Sequence, residues 1–349
     1  MSKVFRPMSA LSAVLLAALS GPVAGPGVTG DSPVPRGTGF VYDPAYLDHQ
    51  TGPGHPESPE RLKAIVARLE RTGLMARLTP LRPTPAPLEW ITTIHSPAYV
   101  AQVEQACQTG RQVLDAADTT ICAESYRVAL LAAGGVLGAV DAVMAGSVRN
   151  AFCAVRPPGH HALRDQAMGF CLFNNVALGA RYVQGKYHLA KVLIVDWDVH
   201  HGNGTQAAFN GDPTVLYFSV HQSPFYPGTG AATETGTGPG EGSKVNVPLP
   251  AGSGDEAYLK AFEEVLKPKA LAFRPDFVLI SAGFDAHDGD PIGSMKVTTR
   301  GYEQMTRIVR EIAEHCCAGR VISVLEGGYN TEALAESVEA HLRVFLSTE

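Results

Sequence analysis

The sequence is poor in the features that mark several large classes of protein. Six cysteines are scattered over 349 residues and no two stand in a CxxC spacing, so no cysteine-built zinc site is legible. Cys316 and Cys317 are adjacent and read as ordinary helix residues. There is no run of like charges and the net charge is -6. Electrostatics therefore give no reason to expect nucleic-acid binding, although a basic protein substrate would not be repelled. No internal repeat is visible, which argues against a solenoid. Beyond the first residues, no stretch has the roughly 18 uninterrupted apolar residues of a membrane span.

What is present points to a globular enzyme. The apolar content is 45%, and α/β enzymes often reach this length as one unit. Lys3 and Arg6 precede an apolar run, Met8 to Leu19, and small residues follow with possible cleavage after Ser20 or Ala24. That pattern predicts a secretory signal and export, for instance to a periplasm; a cytoplasmic protein is the alternative. Residues 1–38 are read as this signal plus a flexible Gly- and Pro-rich segment, and 39–349 as the catalytic domain. Export would permit disulfides.

Along the chain, Ser58-Pro59 and Ser96-Pro97 each open a helix by the same grammar, serine as cap and proline at the first helical position. An Ala-rich helix runs from Glu124 to about Gly146, weakened by Gly134-Gly135. From Asn150 onward the chain alternates. Strands are expected at Asn150–Val155, Lys191–Val195, Thr214–Val220, Asp276–Ser281 and Val321–Leu325. Helices are expected around Asn175–Gln184, Thr205–Phe209, Asp255–Phe273, Thr298–Cys317 and Thr331–Leu346. Gly228–Gly242 reads as a long loop. The alternation predicts an α/β fold, a parallel sheet with helices on both faces.

Four polar clusters follow four of these strands: Arg156-Pro-Pro-Gly-His160-His161, Asp196-Trp-Asp198-Val-His200, Ser281-Ala-Gly-Phe-Asp285 and Glu326-Gly-Gly-Tyr329. Parallel sheets build their active-site crevice at the C-terminal ends of strands. Asp196, Asp198 and His200 alternate along an extended segment and so begin on one face. Buried together, they call for a divalent cation. Asp285, just past another buried strand, competes for the third ligand position. Of the paired imidazoles, either can serve as general base and acid, with Asp196 and Asn203 available to orient them. An Asp partner favours the charged imidazole, whereas an Asn partner leaves it nearer neutral. Tyr329, behind two glycines, can donate to a developing oxyanion. Gly169-Phe170 and Tyr226 can wall a narrow apolar channel.

Taken jointly, RPPGHH, GFCLFNN, DWDVHHGNGTQ, SAGFDAHDGDP and LEGGYN make the chain from about Gly39 onward resemble the zinc-dependent histone deacetylase family. It is most similar to the bacterial and class II-like branch that includes acetylpolyamine amidohydrolases. The resemblance implies the arginase–deacetylase fold and zinc (Zn2+) on Asp198, His200 and Asp285. It implies His161 as general base and then acid, His160–Asp196 as the neighbouring pair, and Tyr329 as the group that polarises the acyl carbonyl. Phe170 and Tyr226 match tunnel-wall aromatics, with tyrosine replacing the commoner phenylalanine at 226. Arg61 matches an arginine beside an internal product channel. Some members also hold potassium (K+) through Asp196, Asp198, His200 and Ser219. Cys122 and Cys171 match a cysteine pair that some members carry beside the active site, which suggests a redox-sensitive disulfide.

Asn203 stands where class I members carry Asp. Ile292 stands where a polyamine-selective branch carries Glu, so a cationic polyamine loses that charge here. The expected activity is hydrolytic removal of acetyl or other acyl groups from lysine side chains or similar amines. The alternatives are an amidohydrolase of acetylpolyamines or other small molecules, and a silent acyl-lysine binding module.

Overall fold

The computed structural model describes residues 37–347. The signal expected near the N-terminus lies outside the described residues. The strands are β1 (Thr38–Val41), β2 (Leu78–Leu81), β3 (Asn150–Cys153), β4 (Val192–Asp196), β5 (Val215–Gln222), β6 (Lys244–Leu249), β7 (Phe277–Ala282) and β8 (Val321–Leu325). They form one eight-stranded sheet in the order β2-β1-β3-β8-β7-β4-β5-β6, and every pairing is parallel. The central strands are buried on both faces, and each large aliphatic side chain so buried contributes about 1.5–3 kcal/mol. The unbroken Val192–Val195 run, which lacks a polar face, is a consequence of that double cover.

The helices are α1 (Glu60–Arg71), α2 (Leu88–Ile91), α3 (Pro97–Gln108), α4 (Ser125–Met144), α5 (Asn175–Tyr187), α6 (Asn203–Phe209), α7 (Asp255–Lys260), α8 (Lys267–Phe273), α9 (Thr299–Cys317) and α10 (Thr331–Leu346). α4 and α5 pack together against the central strands, while α1, α9 and α10 form a second group against it. Among the described residues, α4 alone is long and apolar enough to cross a membrane, and 67% of its apolar window is buried inside the fold. Its glycines are contact points: a Cβ on Gly134 would lie 1.7 Å from the Thr84 carbonyl oxygen, and one on Gly135 would lie 2.7 Å from the Tyr46 hydroxyl. The pair that weakens helix propensity is what lets neighbouring chain lie on this helix.

Three expectations differ from the structure. Ser96 caps α3 through the Tyr99 N–H, but α1 begins after Pro59 with no side-chain cap from Ser58. The helix expected over Asp255–Phe273 contains a π-helical turn, Ala261–Leu266, between α7 and α8. Pro268 removes a donor and would clash with the carbonyl four residues back, and the wider turn relieves both. β1, β2 and β6 were not foreseen. β2 and β6 are edge strands carrying Pro80 and Pro248, which the edge tolerates and a central strand would not.

Candidate metal centre and substrate pocket

The strand order brings β3, β8, β7 and β4 side by side in the middle of the sheet. These are the four strands that the polar clusters follow, so all four loops emerge at one edge. Asp198, His200 and Asp285 converge there: their ligand atoms lie within 4.8 Å of one another and all three residues are buried. His200 Nδ1 is 3.0 Å from Asp198 Oδ1 and 3.3 Å from Asp285 Oδ2. The remaining carboxylate oxygens are occupied by backbone donors, Gly327 N–H to Asp198 Oδ2 at 2.8 Å and Val199 N–H to Asp285 Oδ1 at 2.9 Å.

The donor set fits a divalent metal. Asp285 Oδ2 is buried, and its one close polar neighbour, His200 Nδ1 at 3.3 Å, is not in hydrogen-bonding geometry, an arrangement that is costly unless a cation shares it. Burial and the Asp198 charge both push the Asp285 carboxyl up, as expected of two carboxylates confined without a cation between them. Two glycines leave the space: a Cβ on Gly327 would lie 2.0 Å from Asp285 Oδ2, and one on Gly283 would lie 2.1 Å from Asp198 Oδ2. Two carboxylates and one imidazole suit a catalytic zinc with a position left open.

Asp196 is not part of this cluster. Its Oδ2 accepts from His160 Nδ1 at 3.1 Å and from the Tyr217 hydroxyl at 3.0 Å. Burial opposes a charge on His160, but Asp198, Asp196 and Glu326 outweigh it and raise the imidazole well above its ordinary value. His161 is the opposite case. Its Nδ1–H donates to Asn203 Oδ1 at 2.7 Å, which leaves Nε2 as a free acceptor. Burial, and then the charges of His160 and His200, hold it well below the ordinary histidine value. The two adjacent imidazoles, with ring centroids 4.0 Å apart, are thus shifted in opposite directions, His160 up by the surrounding carboxylates and His161 down by burial and the neighbouring imidazoles.

Tyr329 precedes Asn330, whose side chain caps α10 through the Glu332 and Ala333 N–H groups. Asp290 Oδ2 accepts from the Tyr329 N–H at 2.7 Å, and Asp290 Oδ1 accepts from the Ile292 N–H at 2.9 Å. Arg61 lies 5.2 Å above the Tyr329 ring. Burial, followed by the Asp285 and Asp198 charges, keeps the phenol protonated well above its usual range.

Gly169, Phe170, Tyr226, Ile292, Tyr329, His161 and His200 line one pocket of about 200 Å³, together with Asp118 and Phe225. The Phe170 ring meets Tyr329 edge-on at 5.9 Å, and Tyr226 meets His161 edge-on at 5.2 Å. Ser219, from the expected potassium set, is the register partner of Asp196 on the neighbouring strand, and its hydroxyl pairs with His221 Nδ1 at 2.9 Å. The expected cysteine pair is not joined. Both thiols are free, Cys122 Sγ donates to the Asp48 carbonyl at 3.3 Å, and Cys171 Sγ donates to the Gly169 carbonyl at 3.2 Å.

Four residues at the site are given no role by the sequence. Phe225 stacks on the His200 ring at 5.1 Å with a 15° interplanar angle. Glu326 receives the Gly159 N–H at 2.7 Å and the His160 N–H at 3.2 Å, and so ties the β8 end to the histidine loop. Asp290 clamps the Tyr329 loop. Asp118, from the loop before α4, supplies a carboxylate to the pocket. The strand-end position of Glu326 was the one available clue.

Three converging side chains that could hold a metal ion, with His161 and Tyr329 lining the adjoining pocket, make up a hydrolytic type of site. The histone deacetylase domain model matches residues 55–345. A protein named probable deacetylase from Archaeoglobus fulgidus is 44% identical over 297 residues, covering 84% of this chain and 82% of that protein. A polyamine deacetylase from Mus musculus is 44% identical over 293 residues, 81% of this chain but 43% of that longer protein. The HD domain of HDA15 superposes in its crystal structure with a TM-score of 0.85 at 43% identity, covering 89% of this chain and 88% of that one. The chain belongs to the histone deacetylase domain family and has its α/β fold.

Proposed function

We propose that this protein is a zinc-dependent deacylase that hydrolyses the N-acyl amide of lysine side chains or of similarly slender amines. The observation that carries the reading is the convergence of the Asp198–His200–Asp285 cradle, His161 and Tyr329 at one pocket. Zinc, held by these three side chains, would supply Lewis-acid polarisation of the acyl carbonyl and make water a competent nucleophile at neutral pH. The walls formed by Phe170, Phe225 and Tyr226 admit a thin aliphatic chain and exclude bulk water. His161 Nε2 takes the proton of the attacking water and later returns it to the leaving amine. The Asn203 contact keeps that nitrogen free at the start of the cycle. The charged His160, held on Asp196, stands beside it as a fixed positive charge. The Tyr329 hydroxyl donates to the acyl oxygen as negative charge develops there. Acetate and a free amine leave.

The test is an acetyl-lysine peptide assay on zinc-loaded protein. His161→Ala, Tyr329→Phe and Asp285→Ala are each expected to lose about 10²–10³ in kcat, and a strong chelator is expected to abolish turnover until zinc is returned. Wild-type rates in any variant would remove that residue from the mechanism. Full activity after chelation would remove the metal.

A small-molecule reading, acetylpolyamines above all, is supported by the likeness to the mouse polyamine deacetylase. Ile292 argues for acyl-lysine instead: the position beside Tyr329 is apolar, and the one carboxylate lining the pocket, Asp118, comes from the loop before α4. Relative rates on acetylated peptide, longer acyl peptides and acetylpolyamine separate these readings. The intact cradle and Tyr329 argue against a silent binding module.

A further inference from the structure

Lys244, the first residue of β6, is 1% exposed. A lysine at that depth is unusual unless its charge is met. Its Nζ lies 2.8 Å from the Val215 carbonyl, 3.2 Å from the Asp212 carbonyl, 3.3 Å from the Ser243 carbonyl and 2.7 Å from Ser243 Oγ. An ammonium has three protons, so four oxygens are not explained by one hydrogen bond each. They converge on a point of positive charge. Three of them are backbone carbonyls, two from the stretch that leads from α6 into β5 (Asp212 and Val215) and one from Ser243, the residue before Lys244. This is how a protein replaces the hydration shell of a monovalent cation. Carboxylates do not close the cage: Asp212 lies near, but its side chain is taken by Arg181 at 2.7 Å and by Thr214. Burial pulls the amine down to about 8, with Asp212 opposing, so the group is still charged at neutral pH.

We infer that the Lys244 ammonium is a tethered monovalent cation, filling from within the chain a carbonyl cage that would otherwise take a potassium or ammonium ion. The charge is covalently delivered, so the junction of α6, β5 and β6 is independent of the salt around it. The junction matters to the site. α6 runs from Asn203, which orients His161, to Phe209, whose carbonyl receives the Asp212 N–H at 2.9 Å. The cage closes the far end of the helix that begins at the metal loop.

The test removes the tether and offers the free ion. Lys244→Ala leaves space for a cation. Lys244→Met keeps most of the stem's bulk and removes the charge. Zinc-loaded wild type and both variants are melted in potassium, ammonium and choline chloride at one ionic strength. Any potassium response seated on Asp196, Asp198, His200 and Ser219 is common to all three proteins and subtracts. In choline both variants are expected to melt about 5 °C or more below wild type. In potassium or ammonium the alanine variant is expected to recover most of that difference, and the methionine variant none of it. Stability equal to wild type in choline, no recovery of the alanine variant with either ion, or equal recovery of the methionine variant would each overturn the inference. If the alanine variant does not fold in choline, refolding yields in the three salts are compared: folding only with potassium or ammonium supports the cage, and folding in none refutes it. The readout is stability, so it stands apart from whether the acyl-lysine reading is right.

Discussion

Gly169→Ala acts first on the placement of His161. Gly169 has φ +56°, and a Cβ built on it would lie 2.2 Å from His161 Cδ2. The left-handed backbone alone costs an alanine roughly 1–2 kcal/mol. The larger effect falls on the ring. Ordinary contact begins near 3.4 Å, so the imidazole must retreat by roughly 1 Å, and misplacement on that scale can cost about 10² in rate. It has nowhere neutral to go: His160 lies 4.0 Å from it by centroid and Tyr226 closes another side at 5.2 Å. Any retreat strains the 2.7 Å bond to Asn203. We therefore expect kcat/KM on an acetyl-lysine peptide to fall about 10²-fold, equivalent to about 2.7 kcal/mol. Zinc content should stay at the wild-type level, because the atoms nearest the new methyl all belong to His161. Thermal stability should drop by only a few degrees, about the backbone cost alone. A variant within about threefold of the wild-type rate would show that His161 tolerates displacement, and the base assignment would then be wrong.

Two other outcomes follow from the structure. Glu57 is buried against Arg156 and Arg61; burial pushes its carboxyl up, but Arg156 and then Arg61 outweigh this and draw it from 4.5 down to about 2. A carboxylate depressed in the folded chain stabilises above its ordinary value, and that stabilisation is lost as the pH falls through the folded one. Glu57→Gln should therefore cost about 3 kcal/mol at neutral pH. In denaturant melts its deficit should shrink between pH 4.5 and 2, whereas a deficit constant with pH would contradict the ion-pair account. Ile292→Glu places a carboxylate in the pocket beside Tyr329. The ratio of acetylpolyamine to acetyl-lysine peptide turnover should rise about tenfold; an unchanged ratio would show that position 292 does not set substrate charge.

The alternation of strands and helices was legible because doubly covered strands are written as unbroken apolar runs, as in Val192–Val195. The site was legible because its ligands sit at fixed offsets after those runs. The ambiguity between Asp196 and Asp285 could not be resolved from alternation alone. Alternation describes a strand, and the chain leaves β4 at Asp196, so Asp198 and His200 lie in the loop beyond it. Beyond that point face-sharing no longer holds, and Asp196 turns to His160 and Tyr217. The edge strands escaped notice because four to six residues interrupted by a proline carry too little period to detect. Asp118 and Phe225 escaped because each depends on a distant loop folding over the pocket. Lys244 escaped because a lysine just past a Gly-rich loop gives no sign of burial, and only the three-dimensional meeting of the carbonyls shows it.

The central position of β8 has a consequence for biosynthesis. β8 leaves the ribosome after the other seven strands of the sheet, yet it lies between β3 and β7. Its pairing with β3 joins segments about 170 residues apart, a contact of very high sequence separation that is slow to form. Until it forms, β3 and β7 each present an open, apolar edge in the nascent chain, a ready template for wrong pairing. Glu326 and Tyr329 arrive with the same strand. The enzyme therefore cannot acquire a complete active centre in stages as it is made. A chain stalled before residue 321 would carry all three residues of the proposed metal cradle but expose its unclosed sheet, which makes such truncation products natural clients for chaperones and proteases.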